Sequence, residues 1–247
     1  MAASADAAAA AAARTLRWAG RAGHLGGVPR AAVIGAIGTV AKAYMALLNT
    51  TTVHNADALH RVVKSRPPGT PLLTVSNHMS TIDDPFMWGF KGFPITDAKL
   101  ARWVLTAEDI CFRNAFMSYM FRVGKCVPIT RGAGIYQEHM NEALEVLSTG
   151  SWVMPEKSFF GRRPPLPLCG KEIQIIVGEP VEFDLPSLKQ EAATIPQDTS
   201  FERKGWPTIT PEGLDEAAQR WLYQKMSDKI QSVMEGLRKT LLNQKQH

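Results

Sequence analysis

The stretch from residue 71 to residue 85 constrains the fold most strongly, because it passes from an apolar run through a polar turn to a helix start. It opens with Pro-Leu-Leu-Thr-Val, which is typical of a buried strand. The chain turns polar at Ser76 and Asn77, and Asp84-Pro85 supplies residues favoured at a helix N-cap and at the first helical position. A strand, a tight turn and a helix N-terminus in this order predict an α/β sheet that carries its chemistry at this edge.

His78 and Asp83 stand five positions apart within this stretch. On a regular helix the two side chains would diverge by about 140°, so they can meet only across a turn. A histidine held by an aspartate is the base half of a catalytic triad without its serine. We therefore predict that His78 deprotonates a hydroxyl of the substrate as it attacks an acyl carbonyl, with Asp83 orienting the imidazole. The alternative is an ordinary turn histidine followed by a helix cap.

Four ordered blocks of the chain resemble the glycerolipid acyltransferases of the His-x4-Asp type, and within them the tafazzin branch. The similarity runs from about residue 30 to Val153, then resumes near Met154 and covers 173–183. The blocks are Thr52-Val53-His54-Asn55, Asn77 to Pro85, Ala107 to Phe112, and Gly124 to Gly132.

This resemblance implies a membrane-bound transacylase that moves fatty acyl chains between phospholipids and lysophospholipids. It implies no CoA carrier, no cofactor and no metal. Cardiolipin would be the principal product, with phosphatidylcholine and monolysocardiolipin as substrates. The expected fold is a small mixed sheet flanked by helices, attached to one face of a mitochondrial membrane, and a homo-oligomer is compatible with it.

Arg131 ends the apolar run Val127-Pro-Ile and is suited to clamping a phosphate, because its planar guanidinium offers a bidentate, permanent charge. By resemblance it binds the lipid headgroup phosphate, and a solvent-exposed ion pair is the alternative. By the same resemblance His54 and Asn77 support the site. A metal hydrolase using His54, His78, Asp83 and Asp84 is a further alternative, although the spacing of a His-Glu-x-x-His site is missing.

The segment after Trp152 departs from the family pattern. A chain of this type should continue into Phe-Pro-Glu-Gly, a helix and another strand, whereas this one reads Met-Pro-Glu156-Lys157. Only twenty residues separate Trp152 from Ile173, and four of them are proline, which is too few and too broken for a crossover helix. We predict an internal deletion near 153–154, and do not assign the family glutamate's role to Glu156.

The sequence outside the 50–184 acyltransferase-like domain predicts four further segments. Residues 1–30 are Ala- and Arg-rich, which fits either an organelle-targeting segment or a low-complexity tail. Residues 31–48 predict a membrane-associated helix of about 27 Å that lies in the interface, because Lys42 would be costly at the bilayer centre. Residues 185–209 are polar and predict a linker, and 210–247 predict a C-terminal amphipathic helix capped by Thr210.

Net charge, motif content and cysteine spacing limit which kinds of partner and site are expected. The formal net charge is +5, which suits an anionic membrane surface. Nucleic acid is not expected, because no finger, RNA-recognition signature or dense basic-aromatic patch is present. Cys111, Cys126 and Cys169 are widely spaced, which predicts thiols rather than a zinc site or disulfides. Besides the metal hydrolase, two functions are open: a transacylase weakened by the deletion, or an inactive isoform that binds membranes or the full-length protein.

Overall fold

The computed structural model describes residues 15–77, 83–134, 137–155, 169–196 and 213–244. It divides into two compact units, residues 1–175 and 176–247. The helices are α1 (Val28–Leu47), α2 (Ala56–Lys64), α3 (Asp83–Phe86), α4 (Glu108–Cys111), α5 (Ala115–Val123), α6 (Glu138–Ser148), α7 (Leu185–Ala193) and α8 (Glu216–Gln244). The strands are β1 (Thr50–His54), β2 (Leu72–Leu73), β3 (Trp103–Ala107), β4 (Cys126–Ile129), β5 (Trp152–Pro155) and β6 (Glu172–Ile176).

The central element is a four-stranded sheet with the strand order β2-β5-β3-β4. Every pairing in it is parallel, with Leu72 opposite Trp152, Val104 opposite Met154, and Ala107 opposite Ile129. The carboxyl ends of all four strands therefore open at the same edge, where α/β proteins bind their ligands. The predicted α/β architecture is confirmed. The described strands form two sheets, because β6 pairs with β1 apart from the central four.

One face of the central sheet is covered by α6. Leu105, Val127 and Val153 pack there against Ala143, and all four side chains are buried. Apolar residues at three- and four-residue spacing give α6 the stripe that this contact requires. The contact fixes β3, β4 and β5 side by side, and with them the turns that follow those strands.

The N-terminal helix α1 is docked on the domain by one face. Ile34, Gly38, Ala41 and Met45 are buried, at the spacing of a single helical stripe. Its other side exposes apolar residues, including Val40 at 58 % exposure. In the part of the chain that the structure describes, the stretch His24–Leu47 is the one helical segment long and apolar enough to cross a membrane. The helix predicted at 31–48 is thus confirmed, and it begins three residues earlier.

A close backbone contact joins α1 to the turn after α3. A Cβ placed on Gly89 would lie 2.3 Å from the carbonyl oxygen of Ala41, which no side-chain movement can relieve. We expect Gly89→Ala to destabilise the fold by about 1–3 kcal/mol, because the backbones must separate. Gly35→Ala, on α1, is the matched control, since nothing lies within 4 Å of a Cβ placed there. The control should be neutral or stabilising by up to about 1 kcal/mol. Equal changes in the free energy of urea unfolding for the two variants would contradict the contact.

The chain is already part of the domain from Thr15 onward, so the tail predicted over residues 1–30 is too long. Thr15 is fully buried, and its carbonyl accepts a hydrogen bond from Arg122 Nε at 2.7 Å. Arg122 is itself buried and pairs with Glu142 at 2.7 Å. Short 3-10 turns follow at Arg17–Gly20 and His24–Gly27. Residues 1–14, where any targeting segment would begin, lie outside the described residues.

The second unit corrects two predicted boundaries. The linker predicted from residue 185 instead begins with α7, whose N-cap Asp184 accepts a hydrogen bond from the Ser187 amide. The C-terminal helix starts at Glu216 rather than near Thr210, with Asp215 accepting from the Ala218 amide at 3.0 Å. The two helices pack through a buried group made of Ala192, Leu214, Ala218 and Leu222. The apolar stripe predicted on the C-terminal helix therefore has its docking partner within this unit over its first turns.

Candidate active site

Two of the predicted site residues, Asn77 and Arg131, follow strands at the carboxyl edge of the central sheet. Asn77 follows β2, and Arg131 follows β4. The ends of these strands are three positions apart in the strand order, or about 14 Å between backbones at the usual strand spacing. His78 itself lies outside the described residues, as does Glu156.

Asp83 begins α3 and directly follows residues 78–82, which lie outside the described residues. It is half-buried, and its carbonyl accepts a hydrogen bond from the Met87 amide at 2.7 Å. The next residue, Asp84, has the extended backbone of an N-cap, with φ −99° and ψ 120°. Its side chain binds Arg102, whereas the sequence predicted only a helix cap. The helix predicted after Asp84 is a single turn.

Arg102 is a buried cation that directly precedes β3 and pairs with Asp84. Its Nε donates to Asp84 Oδ2 at 2.5 Å and its Nη2 contacts the other carboxylate oxygen, so the pair is bidentate. The side chain is 7 % exposed and that of Asp84 is 11 % exposed. The guanidinium also lies 4.9 Å from the ring centre of Trp88 and 5.9 Å from that of Trp152. Burial lowers the pKa of Arg102 to about 9, so the side chain stays charged at neutral pH.

Trp152 connects Arg102 to Thr74, which directly follows β2. Its indole Nε1 donates to Thr74 Oγ1 at 2.9 Å, and its ring meets that of Trp88 edge-on at 5.0 Å. Arg102, Trp88 and Trp152 therefore form one cluster that contacts both Thr74 and Asp84.

Arg131 is paired with Asp109 at the other end of the edge. The guanidinium Nη2 contacts Asp109 Oδ2, and both side chains are largely exposed. This hydrogen bond holds the pKa of the Asp109 carboxyl below its usual value, so Asp109 is ionised at neutral pH. The neighbouring Thr130 hydroxyl donates to Glu108 Oε2 at 3.1 Å.

The loop that carries Arg131 is braced by Gln137. The Gln137 side-chain oxygen accepts from the Thr130 amide at 2.8 Å, and its nitrogen donates to the Gly134 carbonyl at 2.7 Å. Gly132 and Gly134 both have positive φ, which glycine adopts without strain. Gln137 thus holds the turn over residues 130–134, which contains Arg131.

Comparison with known proteins identifies the family of this chain. A family model described as Acyltransferase matches residues 50–156. N-acylphosphatidylethanolamine synthase of Arabidopsis thaliana is 46% identical, over 91% of this chain and 97% of that protein. The chain belongs to the acyltransferase family. Tafazzin of Drosophila melanogaster is 40% identical over 49% of this acyltransferase and 32% of its own length. The taffazin of Dictyostelium discoideum is 39% identical over 49% of this acyltransferase and 43% of its own length. The resemblance predicted from the sequence is confirmed for the family, and its tafazzin branch is matched over part of the chain.

Two predicted members are arranged differently in this acyltransferase. His54 ends β1, in the two-stranded sheet rather than in the central one. Asp84, named in the metal-hydrolase alternative, pairs its carboxylate with Arg102. Within the described ranges no three His, Cys, Asp or Glu side chains group closely enough to hold a metal ion. The three cysteines form no disulfide.

Sequence reasoning missed three residues of this site. From the sequence alone Arg102 resembles a surface cation beside a strand, because its partner Asp84 is eighteen positions away. Asp109 lies in a block that was recognised, but its contact with Arg131 spans two separate strand ends. Gln137 sits at the N-cap of α6 without capping it, so no helix signal marks it. All three depend on tertiary contacts, and the motif spacing could have pointed only to Asp109.

Proposed function

We propose that this acyltransferase moves a fatty acyl chain from a phospholipid to the hydroxyl of a lysophospholipid, with monolysocardiolipin as an acceptor and cardiolipin as the product. The observation that carries the proposal is the common carboxyl edge of the parallel sheet, where the chain leaves β2 toward Asn77 and leaves β4 into Arg131. A base and a phosphate-binding cation at one edge are what acyl transfer between lipids requires.

In the proposed reaction His78 accepts the proton of the acceptor hydroxyl as the oxygen attacks the donor ester carbonyl. Asp83 holds the imidazole in the correct tautomer and stabilises the imidazolium. The tetrahedral intermediate collapses by breaking the original ester bond, and the leaving alkoxide takes the proton back from His78. Arg131 holds a headgroup phosphate throughout. One ester forms and one breaks, so no carrier is consumed.

A second acceptor is the primary amine of phosphatidylethanolamine. What favours it is the near full-length similarity to a protein named N-acylphosphatidylethanolamine synthase. The same base serves this chemistry, because an amine is protonated near neutral pH and must lose a proton to become a nucleophile. The product would be an amide rather than an ester, which separates the two acceptors in one assay.

We infer that the protein works on a membrane surface, with α1 lying in the interface. Val28, Ile37, Val40 and Leu47 leave apolar surface on α1 at least 43 % exposed. The opposite face is docked against the domain, with the backbone in close contact at Ala41. A helix held along a folded domain is suited to lie in the interface rather than to cross it. The mitochondrial location stays a prediction.

We also propose that an internal segment is missing after β5. The alignment with the Arabidopsis relative spans 276 positions, more than the 247 residues of this chain, so the relative has residues without a counterpart here. The family match ends at residue 156, just past β5. The missing part should have carried a second headgroup-binding loop and a strand. We therefore propose that this form is weakened, and that binding to membranes or to the full-length protein is its alternative role.

Restoring a family-like segment after β5 is expected to raise the acyl-transfer rate by about 10²-fold, because a 1 Å misplacement of reacting groups costs about that much. The assay offers labelled phosphatidylcholine as donor, with monolysocardiolipin or phosphatidylethanolamine as acceptor. Labelled ester on cardiolipin supports the first acceptor, and labelled amide supports the second. Membrane binding should be equal in both versions. A rate in the unmodified chain that matches the restored version would contradict the proposed weakening, and no product from the restored version would contradict the function.

A further inference from the structure

Two consecutive carboxylates border the arginine proposed to bind phosphate. Asp109 contacts Arg131 directly, and Glu108 accepts a hydrogen bond from the Thr130 hydroxyl. Both acids stand in the first turn of α4, directly after β3, whereas Thr130 and Arg131 follow the neighbouring strand β4. The parallel pairing of β3 with β4 thus brings Asp109 against Arg131, and Glu108 against the adjacent Thr130.

The Arg131–Asp109 pair can be opened by a ligand at small cost. The side chains are 45 % and 57 % exposed. Ion pairs at that exposure change equilibrium constants by less than roughly fivefold, because water screens them. A lipid phosphate could take the place of the Asp109 carboxylate on the guanidinium, since both present two oxygens in the geometry that arginine accepts.

The displaced carboxylate would stay beside the bound headgroup, and so would Glu108. A phosphomonoester carries about −1.5 to −2 charges at pH 7, because its second pKa lies near 6. A phosphodiester carries only about −1, since it has no second ionisation in this range. Repulsion from the two carboxylates therefore acts more strongly on the monoester than on the diester.

We propose that Asp109 is a specificity-determining residue of the headgroup site, which favours phosphodiester lipids over phosphomonoester lipids. This inference rests on the proposed role of Arg131 in binding phosphate. Asp109 acts in two ways: it holds Arg131 in the absence of lipid, and it penalises the second negative charge of a phosphatidic-acid type headgroup. Glu108 adds to that penalty from the adjacent position.

The test measures binding of two water-soluble lipids that share their acyl chains, dihexanoyl phosphatidylglycerol and dihexanoyl phosphatidic acid, at one ionic strength. We expect the unmodified chain to bind the diester more tightly. Asp109→Asn should tighten binding of the phosphatidic acid more than that of the diester, and shift the ratio of the two Kd values by roughly two- to fivefold. Asp109→Glu, which keeps the charge, should retain the original ratio.

Asp57→Asn is the matched control, because it removes the same charge from an exposed position in the first turn of α2. It should leave the ratio of the Kd values unchanged. An unchanged ratio in Asp109→Asn, or an equal shift in Asp57→Asn, overturns the proposal. Arg131→Gln separates this inference from the proposed function. Loss of binding for both lipids supports the phosphate role of Arg131, whereas unaltered binding of both would overturn that role and the inference with it.

Discussion

Arg102→Met is expected to lower the free energy of unfolding by about 3–5 kcal/mol, because it leaves the Asp84 carboxylate buried without its partner. The pair is bidentate, and both side chains are nearly inaccessible to water. Methionine fills much of the same volume, so the loss reflects an uncompensated charge rather than a cavity. Chemical denaturation monitored by tryptophan fluorescence reports it directly, since Trp88 and Trp152 flank the guanidinium.

A double-mutant cycle isolates the pair. Arg102→Met combined with Asp84→Leu removes both charges, and buried pairs replaced in this way by apolar residues are often neutral or stabilising. We expect the double variant to recover most of the stability lost in Arg102→Met. Arg131→Met is the exposed control, for which the change should stay below about 1 kcal/mol. Additive losses in the cycle would show that Arg102 and Asp84 do not depend on each other.

The local elements could be predicted from the sequence where a single segment carries its own signal. The helix predicted at 31–48 corresponds to α1, within three residues at its start and one at its end. The strand predicted at the start of the 71–85 stretch contains β2. Each has an apolar pattern bounded by turn residues, so neighbouring residues alone determine it.

The parts that were missed depend on contacts between distant segments. Composition made residues 15–27 resemble a tail, yet Thr15 is buried and accepts a hydrogen bond from Arg122, which in turn pairs with Glu142. The helix α7 had a readable start in Asp184 and the proline at position 186, but the polar run after it outweighed that signal. Strand order could not be read from the sequence either, since β5 inserts between β2 and β3 only in the folded sheet.

The candidate site follows the same division. Asp83 and Arg131 were singled out from the sequence by spacing and resemblance, and their roles stay predictions. The sequence could not show that Arg131 is paired with Asp109, or that Asp84 is paired with the buried Arg102. These contacts join segments that are far apart in the chain, so they were found only in the structure.

His78→Ala is expected to lower acyl transfer by about 10²–10⁴-fold, the usual contribution of a positioned general base. The measurement is best made in the version with the internal segment restored, where the starting rate is highest. Because the base must be neutral to accept a proton, the rate should rise with pH through the region near 6.5, where histidine titrates. The residual rate of the alanine variant should lose that dependence.

The companion variants separate catalysis from folding. Asp83→Asn should also reduce the rate, by permitting the wrong imidazole tautomer. His54→Ala should cost less, because His54 lies on β1 in the other sheet. All three variants should bind membranes as the parent does. Full activity in His78→Ala would rule out the base assignment. Equal losses in His78→Ala and His54→Ala, with the pH profile unaltered, would mean that both histidines only support the fold, and the transfer would then need another base at this edge of the sheet.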